Sequence, residues 1–425
     1  MSNPREAAEA LADGCEHVET VAELEARLAG MSSKAGTPYS EHLAEITAAA
    51  VETWPSDKPL KRLRVKLGLD PTSPDLHIGH AVVLRKLQDF VEQAHDVTLL
   101  IGDFTARIGD PSGRNILRPP LSEEAIAANM QTYAAQAGKV LDMEQVELRY
   151  NSEWLGVLRL DELIRLLSQT TVARMLDRND FAQRYAAGTP ISLHEFLYPV
   201  AQAYDSVALS ADVELGGSDQ LFNLLMGRTY QERAGQPPQI CMTVPLLEGL
   251  DGVVKMSKSV GNHIGLTESA QDQFGKVMRI PDELIPRYAR LAVFRSQPEV
   301  EALKQALRDG RALPMDEKKK IAQELVALYH GHDAARAARE NFERTVQRRE
   351  LPEEMPEVRT AQARKLVDVI VLAGFAQSKR EAERLIAGGG VKLDGSVITD
   401  TATPWAPKDG AVLSVGARKH ARLVP

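Results

Sequence analysis

Apolar positions change period along the chain, and the changes divide it into elements. In residues 1–58 the spacing is mostly helical, with Val18, Val21, Leu24 and Leu28 on one stripe. RLRVKLGLD (62–70) then alternates, with Leu63, Val65, Leu67 and Leu69 on one side, which predicts a strand. PTSPD (71–75) breaks it. From Gly79 a helical stripe of Val83, Leu84, Leu87, Phe90 and Val91 follows, and DVTLLIGDF (96–104) is a short apolar run suited to a buried parallel strand. Strand, helix, strand is a βαβ unit, so a parallel α/β sheet is expected. Residues 121 to about 235 read as mostly helical. PQICMTVPLL (238–247) reads as a further strand, followed by a Gly-rich loop. Residues 267–350 return to helices, and Ile321, Leu325, Leu328 and Tyr329 share a stripe in 316–331.

The last segment carries sharper local signals. ELPEEMPEVRTA (350–361) holds two prolines and a cluster of acids, the composition of a linker. Leu366, Val369, Ile370 and Ala373 make one helical stripe. Ser378 with Glu381 forms a capping box for a second helix, which Gly388–Gly390 ends. In VKLDGSVI (391–398) an Asp-Gly turn separates two alternating runs, which predicts a hairpin.

The length of 425 residues suggests about three domains. With 44% hydrophobic and 26% charged residues, a long disordered chain and a fibrous repeat are excluded. No run approaches the ~18 apolar residues of a membrane helix. The N-terminus has early acids and no apolar core, so no secretory signal is expected. Two cysteines, Cys15 and Cys241, are too few for a disulfide framework and are expected as buried thiols of a cytoplasmic protein. The net charge is −8, yet residues 362–425 hold ten Lys/Arg against six Asp/Glu. That asymmetry suits an anionic partner at this end, or simply a solvated face.

Five stretches carry chemistry. His77-Ile78-Gly79-His80 sets two imidazoles where a loop enters a helix. Gly79 permits close approach of a ligand, and a helix N-terminus directs N–H groups at an anion. Two such imidazoles suit polyphosphate oxygens; a zinc site would need a third ligand nearby. Lys255-Met256-Ser257-Lys258-Ser259 lies in a Gly- and Ser-rich loop, where two ammonium groups suit charge that develops transiently, or serve only solubility. Tyr198, Gln202 and Asp205 share one helix face, a polar stripe in an apolar setting that suits a pocket. Gly109-Asp110-Pro111-Ser112-Gly113 and Gly216-Gly217-Ser218-Asp219-Gln220 add glycine turns with carboxylates.

His-Ile-Gly-His followed by Lys-Met-Ser-Lys-Ser resembles the paired signatures of class I aminoacyl-tRNA synthetases. With the Asp110, Tyr198–Asp205 and Gly216–Gln220 stretches, the chain resembles the tyrosyl-tRNA synthetases over essentially its whole length, and its tail resembles the S4 RNA-binding domain of their bacterial members. The resemblance implies an α/β protein. A Rossmann-like parallel-sheet catalytic domain would span 1–266, with a helical insertion and dimer interface at about 120–200. A helical anticodon-binding domain would span 267–350, a linker 351–361, and a small α+β S4 domain 362–425. It implies activation of L-tyrosine with ATP and transfer of tyrosyl to tRNA(Tyr) by a cytoplasmic homodimer, with Mg²⁺ accompanying ATP, no dedicated protein metal site, and no membrane or DNA partner.

Residue by residue, the resemblance assigns Asp110, Tyr198 and Gln202 to the substrate ammonium, Asp205 to its phenol, and Gln220 to the region of its carboxylate. Gly68, Asp70, Gly79, Gly217, Asp219, Met256, Ser257 and Ser259 fall to ATP. His77, His80, Lys255, Lys258, Thr72, Arg114 and Arg118 fall to stabilising the phosphates, with both arginines on a mobile basic loop. Lys379, Arg380, Arg384 and Lys392 fall to tRNA. One position departs from the pattern: many bacterial members have a second tyrosine where this chain has Lys66, which shifts phenol recognition onto Asp205. A tryptophanyl synthetase, a nucleotidyltransferase using a His-x-Gly-His turn, and a non-catalytic RNA-binding protein are the competing readings.

Overall fold

In the computed structural model the residues described are 3–31, 51, 54–55, 58–111, 122–347, 355–360, 365–405, 410–416 and 419–424. The chain divides into two compact units, one of residues 1–269 with 276–321, the other of 270–275 with 322–425. Among the described residues no helix is long and apolar enough to cross a membrane.

The first unit is built on a six-stranded sheet: β1 (His17–Val18), β2 (Arg64–Leu69), β3 (Asp96–Ile101), β4 (Val146–Tyr150), β5 (Val213–Gly217) and β6 (Ile240–Val244). The order is β1-β6-β5-β2-β3-β4. Five strands are parallel, and β1 closes one edge antiparallel to β6. The chain runs outward from β2 through β3 to β4, then returns to the other side of β2 for β5 and β6. The parallel α/β expectation is therefore met, and β2, β3 and β6 lie within the predicted stretches. Helix Ile78–Glu92 buries Ala81, Val83, Leu84, Leu87, Phe90 and Val91.

Three strands of this unit lie in stretches whose pattern reads as helical: β1 within residues 1–58, and β4 and β5 within 121–235. β4 and β5 are each five residues long, too short to establish a period. Val-Glu-Leu-Arg-Tyr occupies a sheet edge with only Val146 buried, and β5 carries the buried Glu214 in a core position. At the N-terminus, Val18 belongs to β1, and the helix begins only at Val21, capped by Thr20, whose hydroxyl accepts from the Glu23 N–H at 2.9 Å. In helix Pro314–His330, Ile321, Leu325 and Tyr329 are buried as expected. Leu328 is 47% exposed, and Ala322 and Val326 take its expected place. Cys241 is buried in β6, whereas Cys15 is only partly buried.

The second unit ends in a module with its own core. β7 (Glu357–Arg359), β8 (Val391–Leu393), β9 (Ser396–Ile398), β10 (Ala411–Val415) and β11 (Lys419–Val424) pair in the order β7-β11-β10-β8-β9. Leu366, Val369, Ile370, Ile386, Leu413 and Leu423 pack together between this sheet and helices Leu366–Leu372 and Lys379–Ala387. The local signals operate as read. Asp394 and Gly395 have φ of 47° and 82°, the left-handed pair of a type I′ turn, and Asp394 also accepts from the Val412 N–H at 2.8 Å. Gly389 N–H bonds Ile386 O and Gly390 N–H bonds Leu385 O, a Schellman end. The capping box is only half formed: Ser378 Oγ accepts from Glu381 N–H, but the Glu381 carboxylate accepts from Gln377 N–H instead of Ser378 N–H. Residues 357–359, expected in a linker, form β7, because Val358 packs on the core and Thr360 donates to Val424 O at 3.0 Å.

Candidate active site

Where a parallel sheet reverses direction, the crossovers leave to opposite faces and a crevice opens at the strands' carboxyl ends. Here that point lies between β2 and β5. A cleft of about 950 Å³ occupies it, floored by Gly68 near the end of β2, Asp70 just after it, and Gly216 and Gly217 at the end of β5.

One end is formed by the histidine turn and the lysine loop. His77 caps helix Ile78–Glu92, its backbone N–H donates to His80 Nδ1 at 3.2 Å, and the two rings are 3.9 Å apart. A side chain at Gly79 would come within 2.9 Å of His77 Nδ1 and 3.6 Å of Met256 Cβ, so the absence of one lets the two motifs pack. Backbone bonds Ile78 N–H to Ile264 O and Leu266 N–H to Leu76 O, both 3.0 Å, tie the turn to the segment following the loop. Burial first, and then the charge of Lys258 and Lys255, holds both imidazoles neutral: His80 falls to about 4, and His77 lower still. A neutral imidazole still offers one N–H.

The lysine loop is braced. Buried Asn262 accepts from Ser257 N–H at 2.8 Å and donates to Asp251 at 2.5 Å and to Val254 O at 3.3 Å. Lys255 pairs with Asp219 at 2.6 Å and Lys258 with Asp75 at 3.0 Å. Both ammonium groups thus rest on carboxylates at the cleft's rim.

The other end is polar and buried. Asp205 accepts from Trp154 Nε1 at 2.7 Å and from Asn151 Nδ2 at 3.3 Å. Asp70 accepts from the Thr105 hydroxyl at 2.8 Å and lies against the Tyr198 phenol; any side chain at Gly102 would overlap it. Burial raises both carboxyls to about 7, against the opposing influence of these hydrogen bonds and, for Asp205, of the Lys66 charge. Asp110 accepts from Arg178 at 3.0 Å and from Gln220 at 2.8 Å. Lys66 does not line the cleft. It is 1% exposed and pairs with Glu214 at 2.9 Å.

Residues 58–347 match the family model of class I tRNA synthetases (W and Y), and residues 364–409 match that of the S4 domain. A tyrosine–tRNA ligase of Thermotoga maritima is 51% identical over 85% of this chain and 90% of its own. The chain belongs to the tyrosine–tRNA ligase family. A relative from Moorella thermoacetica with the same name is 52% identical over 85% of this chain and 88% of its own. The solved tyrosyl-tRNA synthetase of Archaeoglobus fulgidus, complexed with L-tyrosine, shares the fold with a TM-score of 0.60, over 79% of this chain and 100% of that one, at 22% identity.

Among the residues assigned to catalysis, ATP and tyrosine, all but Arg114 and Arg118 line this single cleft of the enzyme. Those two lie outside the described residues. Lys379, Arg380, Arg384 and Lys392 are exposed on the second unit. The sequence reading missed Asn151 and Trp154, Arg178, Asp75, and the Lys66–Glu214 pair. Asn151 and Trp154 directly follow β4, so recognising that strand would have marked them, since the carboxyl ends of such strands carry sites.

Asp205 has its ordinary value of 3.8 unfolded and about 7 folded, so the folded state holds the extra proton between these values. Its contribution to stability is complete below pH 3.8 and is lost as pH rises toward 7. Thermal melting of Asp205→Asn against wild type is expected to favour the variant increasingly from pH 4.5 to 7.5. A difference independent of pH would contradict the raised value.

Proposed function

We propose that the cleft joins L-tyrosine to ATP as tyrosyl-adenylate and then passes tyrosyl to the terminal ribose of tRNA(Tyr). The observation that carries this reading is the convergence of His77, His80, Lys255 and Lys258 at one end of a cleft whose other end offers the buried acceptor Asp205. The substrate carboxylate is already ionised and attacks the α-phosphorus in line, so no general base is needed. Catalysis then consists of positioning and of stabilising charge on the departing pyrophosphate. Gly68, Asp70, Gly217, Asp219, Met256, Ser257 and Ser259 hold the nucleotide, and Gly79 leaves it room. Thr72 and the neutral histidines donate to its phosphates. Lys255 and Lys258 leave Asp219 and Asp75 for the phosphates as charge develops, joined by Arg114 and Arg118. Mg²⁺ enters with ATP as its counter-ion; among the described residues no group of three or more His, Cys, Asp or Glu could hold a metal.

Asp205 accepts the substrate phenol, and Asp110, Tyr198, Gln202 and Gln220 receive the ammonium and carboxylate end. A buried acceptor left unpaired is unfavourable, so an analogue lacking the hydroxyl is rejected. Pyrophosphate exchange run in parallel with tyrosine, tryptophan and phenylalanine should proceed with tyrosine alone. His80→Ala and Lys258→Ala should each lower its rate about a hundredfold or more while shifting the KM for ATP only several-fold. Equal losses in both, or tryptophan-dependent exchange, would refute the assignment.

The homodimer reading is supported by helix Leu160–Leu167, whose Leu160 and Ile164 are 72% and 57% exposed, with Val157 and Val172 exposed beside it in sequence. Such an apolar stripe suits a second copy of the chain. Ile164→Glu is expected to yield monomers in analytical ultracentrifugation; an unchanged sedimentation coefficient would move the interface elsewhere. Lys379, Arg380, Arg384 and Lys392 are read as phosphate contacts to tRNA, and the enzyme as cytoplasmic. Arg380→Glu with Arg384→Glu should raise the KM for tRNA, and more so at low salt, while leaving exchange intact. An unaltered KM would remove these residues from the interface.

A further inference from the structure

Lys66 and Glu214 face each other across β2 and β5, in register at the reversal point of the sheet. Both are charged, both are almost wholly buried, and neither lines the cleft. A buried ion pair is weak support for stability, because apolar residues of similar volume usually serve as well. Its surroundings give it another task. Glu214 Oε1 accepts from Lys66 Nζ at 2.9 Å and from Gln202 Nε2 at 3.0 Å. Glu214 Oε2 accepts from the Ser206 hydroxyl at 3.1 Å and from Gln239 Nε2. Lys66 Nζ also donates to the Gln202 backbone carbonyl at 3.4 Å. The pair therefore grips Gln202 by its main chain and its side chain together.

This grip has a directional consequence. A carboxylate only accepts hydrogen bonds, so Gln202 must turn its NH₂ toward Glu214. Its oxygen is then the free end of the amide. Gln202 Oε1 is buried without a hydrogen-bond partner among the described residues, on a side chain that lines the cleft. Were residue 214 a group able to donate, the amide could turn over and offer NH₂ to the cleft, repelling an ammonium.

We propose that Lys66 and Glu214 are a positioning pair that sets the Gln202 amide with its oxygen toward the substrate ammonium, making the cleft selective for an amino acid over its deaminated analogue. The proposal rests on the reading that Gln202 receives that ammonium. Lys66 supplies the counter-charge the buried carboxylate needs, and Glu214 supplies the direction.

The test compares binding of L-tyrosine and of 3-(4-hydroxyphenyl)propionate, which lacks the ammonium, to the full-length enzyme without ATP. Glu214→Gln should lower the preference for tyrosine about tenfold, by weakening tyrosine and leaving the propionate unchanged. The double variant Lys66→Met with Glu214→Met removes both charges at similar volume and keeps the question open to test should the single variant fold poorly. It should melt near wild type and lose the same preference. Equal weakening of both ligands, or a double variant with wild-type preference, would overturn the proposal. Gln202→Met separates the two layers. If it leaves the preference unchanged, the underlying reading of Gln202 fails. If it abolishes the preference while the Lys66 and Glu214 variants retain it, only the positioning role fails.

Discussion

The reversal of strand order between β2 and β5 is the constraint on which the site depends. Parallel strands need crossovers, and crossovers that leave to opposite faces open a crevice where they part. Gly68, Asp70, Gly216 and Gly217 reach that crevice simply by ending or following their strands. The histidine turn begins the helix that leaves β2, and the lysine loop follows β6. Residues 178 apart in sequence therefore meet without any long side-chain reach, and Gly79 lets them close to van der Waals contact.

Charge within the cleft is arranged so that little of it is uncompensated before a ligand arrives. Lys255 and Lys258 rest on Asp219 and Asp75, and Asp110 is held by Arg178 and Gln220. The histidines are kept neutral by burial, and Asp70 and Asp205 are raised by it. A triphosphate and an ammonium would exchange these contacts for their own. Burial also makes hydrogen-bond direction matter, because an unmatched donor or acceptor finds no water to satisfy it.

The two units were legible to different degrees. The C-terminal module follows local rules: a left-handed Asp394-Gly395 turn, a Schellman end at Gly389 and a serine cap at Ser378 each act within a few residues, and the sequence displays them directly. β10 and β11 lie beyond the predicted hairpin and were not foreseen, and β7 escaped notice because its partner, β11, lies 65 residues away and its own three residues show no period. In the first unit, β2, β3 and β6 were visible as alternating or continuous apolar runs. β4 and β5 were not, since an edge strand and a strand with a buried glutamate both break the pattern that marks a strand.

By itself the sequence determined the chemistry available: which imidazoles, ammonium groups and carboxylates the chain owns, and the spacings that mark a histidine turn, a lysine loop and a polar helix face. Those properties are local, so a linear reading captures them. The tertiary structure alone decided what each group meets. Trp154 and Asn151 on Asp205, Arg178 on Asp110, and Glu214 between Lys66 and Gln202 are contacts between strands and helices distant in the chain. Such partners are chosen by strand order and register, which no single segment encodes.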